Sequence, residues 1–229
     1  MTITTCIFDA YGTLFDVAAA AREAAAEPGR EQLAESWPKL AENWRLKQLQ
    51  YSWLRAVTGQ YTDFWQVTED GLDWALEAAG LDGDLDLRER LLSLYWELSA
   101  YPEVPKMLEQ LKQAGLTAAI LSNGSPDMLT GAVRSAGLED LLDESLSVES
   151  VGNFKPDSRV YDLVGQRYAC APSQVLFVSS NGWDASAAAA YGFTTAWVNR
   201  AGDPVDRLPG KPHHILTDLS GIPDLAARC

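Results

Sequence analysis

Asp9, Lys155 and Asp184 are the charged side chains whose types and neighbourhoods could do chemistry together. The segments Asp9–Thr13, Ser122–Ser125, Lys155-Pro156 and Ser179–Asp184 each fall at the carboxyl end of a predicted strand. A parallel sheet gathers such ends along one edge, where open α/β sheets place their active sites. That edge would hold two carboxylates (Asp9, Asp184), one lysine (Lys155), the hydroxyls of Thr13, Ser122 and Ser179, and the amides of Asn123 and Asn181. A lysine beside a semi-buried aspartate keeps it ionised, lowering its pKa by roughly 1–3 units in favourable geometry. That combination suits a carboxylate nucleophile. Taken singly, each segment has a plainer reading. Asp9 could cap a turn, Ser122-Asn123-Gly124 is a common turn, and Lys155 could be a surface residue ahead of a proline-started helix.

The elements that must position these residues are legible from periodicity. Ile3–Phe8 is an apolar run that reads as a buried parallel strand, and Gly12 lets the chain turn sharply after it. From about Asp16 to Ala100 the pattern is helical throughout. Predicted helices there are Val17–Glu27 with Asp16 as N-cap, Leu40–Val57 starting near Pro38, Thr68–Ala79, and Leu87–Ser99. After Tyr101-Pro102 strands and helices alternate. The predicted strands are Leu116–Leu121, Leu146–Val148, Gln174–Ser179, Thr194–Val198 and a last one from His214, with helices near Pro105–Ala114, up to Ala136, over Asp157–Tyr168 and over Ala185–Tyr191. This alternation predicts an α/β fold, a Rossmann-like parallel sheet core wrapped by helices. A helical domain at 16–100 would interrupt a core made of 1–15 and 101–229.

Composition narrows the function classes. The chain has 229 residues, 47% of them hydrophobic, so it can bury roughly 70% of its unfolded surface. A net charge of −14 argues against nucleic-acid or anionic-membrane partners, and a site for an anion must be locally positive within a negative protein. His213 and His214 are the only histidines, which disfavours a histidine-based hydrolase triad. Cys6, Cys170 and Cys229 show no disulfide or zinc spacing, and Cys6 reads as a small buried hydrophobe. The start lacks a signal-peptide pattern and no stretch approaches a membrane span, so a cytoplasmic enzyme is the default expectation.

Taken in order, these motifs resemble those of the haloacid dehalogenase superfamily, with the helical segment as its cap domain. Superfamily phosphatases carry a second aspartate two residues after the nucleophile and acidic residues for magnesium. Here Tyr11 and Ser180 stand at such positions. Those departures resemble the L-2-haloacid dehalogenase branch, through Phe8–Asp16, Trp44–Arg55, Ile120–Gly124, Phe154-Lys155-Pro156 with Tyr161, and Phe177–Asp184. Leu46 is a departure, since a polar residue is expected there.

The resemblance implies hydrolytic dehalogenation of (S)-2-haloacids to (R)-2-hydroxy acids through an aspartyl ester, with no metal and no cofactor. Asp9 would be the nucleophile. Asp184 would activate water and orient Lys155, with Thr13, Ser179 and Asn181 completing the catalytic set. Arg45 and Asn123 would cradle the departing halide. Ser122 and backbone amides near Tyr11 and Asn123 would hold the substrate carboxylate. Leu49, Phe64 and Trp183 would form an apolar wall, and the same pattern counts Ala10 and Tyr161 among the substrate-binding residues. The implied partners are the haloacid, water and a second copy of the chain in a homodimer. The competing readings are a superfamily phosphatase and a non-catalytic small-acid binding protein.

Overall fold

The computed structural model describes residues 2–228. Met1 and Cys229, both part of the sequence reading, lie outside the described residues. Six strands form one parallel sheet: β1 (Thr5–Phe8), β2 (Thr117–Ser122), β3 (Glu144–Ser147), β4 (Val175–Ser179), β5 (Thr194–Val198) and β6 (His214–Leu216). Their spatial order is β3-β2-β1-β4-β5-β6. The chain therefore winds outward in one direction through β2 and β3, and in the other through β4, β5 and β6. The reversal lies between β1 and β4, and a crevice outside the carboxyl ends is expected at such a switch point. Asp9 follows β1 and the Ser179–Asp184 segment follows β4, so both border that crevice. All residues of β1 and β4 are buried, as the continuous apolar runs require of central parallel strands.

Four helices come between β1 and the rest of the sheet: α1 (Ala19–Ala25), α2 (Glu31–Thr58), α3 (Phe64–Ala79) and α4 (Leu85–Trp96). Helices α5 (Val104–Gln113), α6 (Pro126–Ser135), α7 (Ser158–Tyr168), α8 (Gly182–Tyr191) and α9 (Ile222–Arg228) accompany the later strands. The chain enters and leaves the four-helix segment side by side. Asp16 N donates to Ser99 O at 3.0 Å and Tyr101 N to Leu14 O at 2.9 Å.

Several boundaries differ from the sequence expectation for identifiable reasons. Helix α2 begins at Glu31 and runs through Pro38. A proline inside a helix costs about 3 kcal/mol. The turns before it bury Leu33 fully and pack Trp37 against the core, and a buried leucine returns about 1.5–3 kcal/mol. Helix α3 starts at Phe64 because Asp63 caps it, accepting from Gln66 N at 2.9 Å. Asp84 caps α4 in the same way, through Leu87 N. Asp16 does not cap α1 directly; the N-cap is Ala18, whose amide donates to the Asp16 carboxylate. Strand β3 starts two residues before, and ends one residue before, its expected bounds. Val148 leaves the sheet and is buried in a short 3-10 turn, capped by Ser147 accepting from Glu149 N.

Candidate active site

Asp9 is fixed from both sides. Its amide extends the sheet by donating to Val178 O at 2.9 Å, and the chain then turns at once. Ala10 O accepts the amides of Thr13, Leu14 and Phe15, which closes the turn and buries Ala10 completely. Gly12 sits at φ +87°, and a Cβ there would lie 2.7 Å from an Arg45 guanidinium nitrogen. A side chain is excluded by backbone conformation and by the arginine together. Tyr11 stacks on Tyr95 with ring centroids 5.6 Å apart, and its ring is close enough to Gly124 that a Cβ there would come within 2.8 Å of it.

The carboxylate of Asp9 accepts three side-chain donors. Lys155 Nζ lies 3.2 Å from Oδ1, and Thr13 Oγ1 and Asn181 Nδ2 each lie 3.0 Å from Oδ2. Lys155 also donates to Asp184 Oδ2 at 2.9 Å, and Asp184 Oδ1 accepts the Tyr161 hydroxyl at 2.8 Å. Helix α8 begins three residues before the expected Ala185, which puts Asp184 in its first turn, where the helix dipole favours negative charge. Ser179 orients this loop by accepting Asn181 N at 3.1 Å. Ser180 bonds Thr13 through both backbone and side chain.

Lys155 is 1% exposed and Asp184 is fully buried. Burial alone would neutralise the ammonium, but Asp184 and Asp9 outweigh it and hold the Lys155 pKa above its ordinary value. Asp184 departs from the sequence expectation. Desolvation, assisted by the charge of Asp9, overrides the pull of Lys155 and leaves its pKa above the usual 3.8. The Tyr161 phenol is pushed well above 10 by burial and by Asp184. Cys6 is a buried thiol raised to about 12 by desolvation, in keeping with a purely packing role.

A cavity of about 30 Å³ opens at this edge. It is lined by Asp9, Tyr11, Arg45, Gln48, Leu49, Phe64, Tyr95, Ser122, Asn123, Lys155, Asn181 and Trp183. Asp9 is the only carboxylate among these described lining residues; Asp184 stands behind Lys155. Arg45 projects from α2, donating to Asn181 Oδ1 at 2.8 Å and, at 3.4 Å, to Tyr11 O. Asn181 thus links the guanidinium to Asp9. Asn123 Oδ1 accepts Lys155 N at 3.0 Å, so its amide NH₂ is the end left to donate. Ser122 Oγ accepts Gly124 N at 3.1 Å, which leaves its proton available.

A family model described as a haloacid dehalogenase-like hydrolase matches residues 3–192. The chain is 46% identical over 226 residues to (S)-2-haloacid dehalogenase 1 of Pseudomonas sp. (strain CBS-3), covering 99% of this chain and 97% of that protein. The chain belongs to the (S)-2-haloacid dehalogenase family. It is also 42% identical to (S)-2-haloacid dehalogenase 4A of Burkholderia cepacia, over 99% of this chain and 96% of that one. The L-2-haloacid dehalogenase of Xanthobacter autotrophicus, solved with chloropropionic acid covalently bound, superposes with a TM-score of 0.85 at 36% identity, covering 98% of both chains.

Most residues expected from the family pattern meet at the cavity, but not all touch it. Ala10, Thr13, Ser179 and Asp184 support Asp9 and Lys155 from behind. Tyr161, expected to bind substrate, does not line the cavity; its hydroxyl serves Asp184. Leu46, the departure from the family pattern, is 46% exposed and is not among the residues that line the cavity. Gln48 and Tyr95 do line it and were not expected. Gln48 interrupts the buried stripe Leu40, Trp44, Gln48, Ser52 of α2. A glutamine following Leu40 and Trp44 on a buried stripe is a readable signal, and here its Nε2 donates to Thr68 Oγ1 at 2.9 Å and to the Tyr95 hydroxyl at 3.1 Å. Tyr95 carries no signal beyond being aromatic. Among the described residues no helix is long and apolar enough to cross a membrane.

Proposed function

We propose that this protein hydrolyses (S)-2-haloalkanoic acids to (R)-2-hydroxyalkanoic acids, through an ester on Asp9. The observation that carries this reading is that the one carboxylate facing the cavity is held by three donors beside a buried lysine. The covalently bound chloropropionic acid of the Xanthobacter relative supports it. Asp9 attacks the alpha carbon in line. The carbon–halogen bond breaks with its electron pair, halide leaves, and the carbon inverts. Water then adds to the ester carbonyl and cleaves the acyl–oxygen bond, which restores Asp9. Residues 16–100 act as a cap that contributes Arg45, Leu49 and Phe64. The Ser122 hydroxyl and the amides near Tyr11 and Asn123 receive the substrate carboxylate. Arg45 and the Asn123 NH₂ receive the halide, and exclusion of water strengthens each of these contacts.

The donor set does not fit a magnesium ion of the kind phosphatases use. Lys155 already occupies the position between Asp9 and Asp184, and Tyr11 and Ser180 offer no carboxylate. A halide-release panel over (R)- and (S)-2-chloropropanoate, run after dialysis against a strong chelator, tests the reading. Release from the (S) acid alone, undiminished by chelation, is expected. Magnesium-dependent phosphate release from generic esters instead would favour the phosphatase reading.

Arg45→Lys should slow turnover of the chloro acid by about 10²-fold while the folded state persists. Lysine keeps the charge but loses the planar fork that spans Asn181 and the halide position. The loss should be smaller for the bromo acid, because bromide leaves more readily. Equal rates in variant and parent would reduce Arg45 to a surface residue.

The rate should also report the raised pKa of Asp184. If ionised Asp184 is required, kcat falls as pH drops through that pKa, so the acid limb lies above 3.8. The Tyr161 hydroxyl favours the carboxylate form, so Tyr161→Phe should move the limb to still higher pH. A limb that stays fixed in this variant would detach it from Asp184.

A further inference from the structure

Trp183 borders three cavities, two of which contrast most in character. It lines the catalytic cavity with Leu49 and Phe64, and it lines a second cavity of about 510 Å³ with Trp53, Val57, Pro156, Ala187 and Leu208. The second cavity opens to the surface, where Val57 is 87% exposed and Leu208 41%; it has no charged lining residue, and its size falls within the usual range of small-molecule sites. The indole that lines both makes no side-chain hydrogen bond. Trp44 and Trp197 donate their ring N–H groups to Thr68 O at 2.8 Å and Ser180 O at 3.1 Å, whereas Trp183 Nε1 is buried with no partner. Its aromatic contact is an edge-on approach to Trp53, with centroids 5.3 Å apart. Turning Trp183 aside therefore breaks no hydrogen bond. The hydroxyl of Ser186, also on this cavity, is likewise buried and unpartnered.

We infer that the apolar cavity behind Trp183 receives the alkyl chain of 2-haloalkanoic acids longer than propanoate, with the Trp183 ring as the movable partition. This rests on the haloacid reading of the site. The catalytic cavity, about 30 Å³, holds little more than the reacting end of an acid. A longer chain needs adjoining apolar space. The other adjoining cavity shares Arg45, Leu49, Asn181 and Trp183 but is lined further out by Asp203, Asp206 and Arg207. Those charges suit a hydrated ion rather than an alkyl chain. On the apolar side each additional buried methylene should raise kcat/KM by about fourfold, the factor equivalent to ~0.8 kcal/mol.

The test is a kcat/KM series over (S)-2-bromopropanoate, -butanoate, -hexanoate and -octanoate. The full-length parent is compared with Trp183→Ala, Ala187→Leu and Val57→Trp. Trp183→Ala opens the partition, while the other two fill the cavity from α8 and from the exposed end of α2. The octanoate-to-propanoate ratio should rise at least tenfold in Trp183→Ala and fall at least tenfold in each filled variant. Turnover of 2-bromopropanoate by the two filled variants, and a far-UV circular dichroism spectrum of Trp183→Ala that matches the parent, show that all three are folded. Ratios that match the parent in both filled variants would overturn the inference while leaving the haloacid reading intact. Unchanged ratios with a shift to slower sedimentation in Val57→Trp would assign the cavity to contact with a second copy, which also overturns it. A parent inactive on 2-bromopropanoate would remove the haloacid reading, and the inference with it.

Discussion

Asp9→Ala is expected to lower halide release from 2-chloropropanoate by at least about 10⁴-fold, because it removes the atom that forms the new bond. The fold should persist. Asp9 sits at a cavity edge, and its loss leaves Lys155 paired with Asp184 at 2.9 Å, so no buried charge is stranded. The Thr13 hydroxyl and the Asn181 NH₂ lose an acceptor, but both lie close enough to the cavity for water to replace it. Far-UV circular dichroism of the variant should match the parent. Appreciable halide release from a native-like variant would remove Asp9 as nucleophile, and no other carboxylate among the described residues lines the cavity to take its place.

The assignment of Asp9 was legible because strand ends are legible. The apolar run ending at Phe8, the run ending at Ser122 and the run ending at Ser179 each point to a loop, and parallel pairing collects those loops. Thr13 and Asn181 followed from lying in the same loops. Arg45 is a different case. No periodicity says that an arginine in a long helix reaches back to Gly12 and Asn181; only the family pattern supplied it. Gln48 and Tyr95 belong to α2 and α4, and which helix faces of an inserted segment meet depends on packing that short-range patterns do not encode. Tyr161 is expected from the family pattern among the substrate-binding residues; its hydroxyl donates to Asp184, and it is not among the residues that line the cavity. The early start of α2 is not legible locally because a proline outweighs its neighbours in any short-range pattern, whereas burial of Leu33 is decided by contacts distant in sequence. The start of strand β3 is not legible for a similar reason. It is an edge strand whose half-buried residues include Glu144 and Ser145, so its apolar signal is displaced toward Leu146 and Val148.

The second large effect concerns the route by which water enters the product. Two carboxylates permit two mechanisms: Asp9 can attack first, or Asp184 can drive water directly onto the alpha carbon. The geometry favours the first. Asp184 is fully buried, its two oxygens are engaged by Lys155 and Tyr161, and it does not line the cavity. A water attacking the alpha carbon needs a base on the cavity, and Asp9, not Asp184, is the carboxylate that lines it. In a single turnover with excess enzyme in heavy-oxygen water, the label should therefore appear in the peptide containing Asp9, with little in the hydroxy acid. The ester route puts the solvent oxygen on the Asp9 carbonyl carbon, and the product keeps an oxygen that Asp9 already carried. The reverse distribution would refute covalent catalysis. Asp184→Asn divides the second half-reaction in the same way. Its amide cannot take a proton from water, but asparagine can still accept from Lys155. If Asp184 serves hydrolysis, turnover should fall by about 10²–10⁴-fold, the usual contribution of a positioned general base. Mass spectrometry should then find enzyme heavier by the acyl group soon after mixing with substrate. An inactive variant without adduct would mean that the charge of Asp184 is needed earlier, to hold Lys155 against the nucleophile.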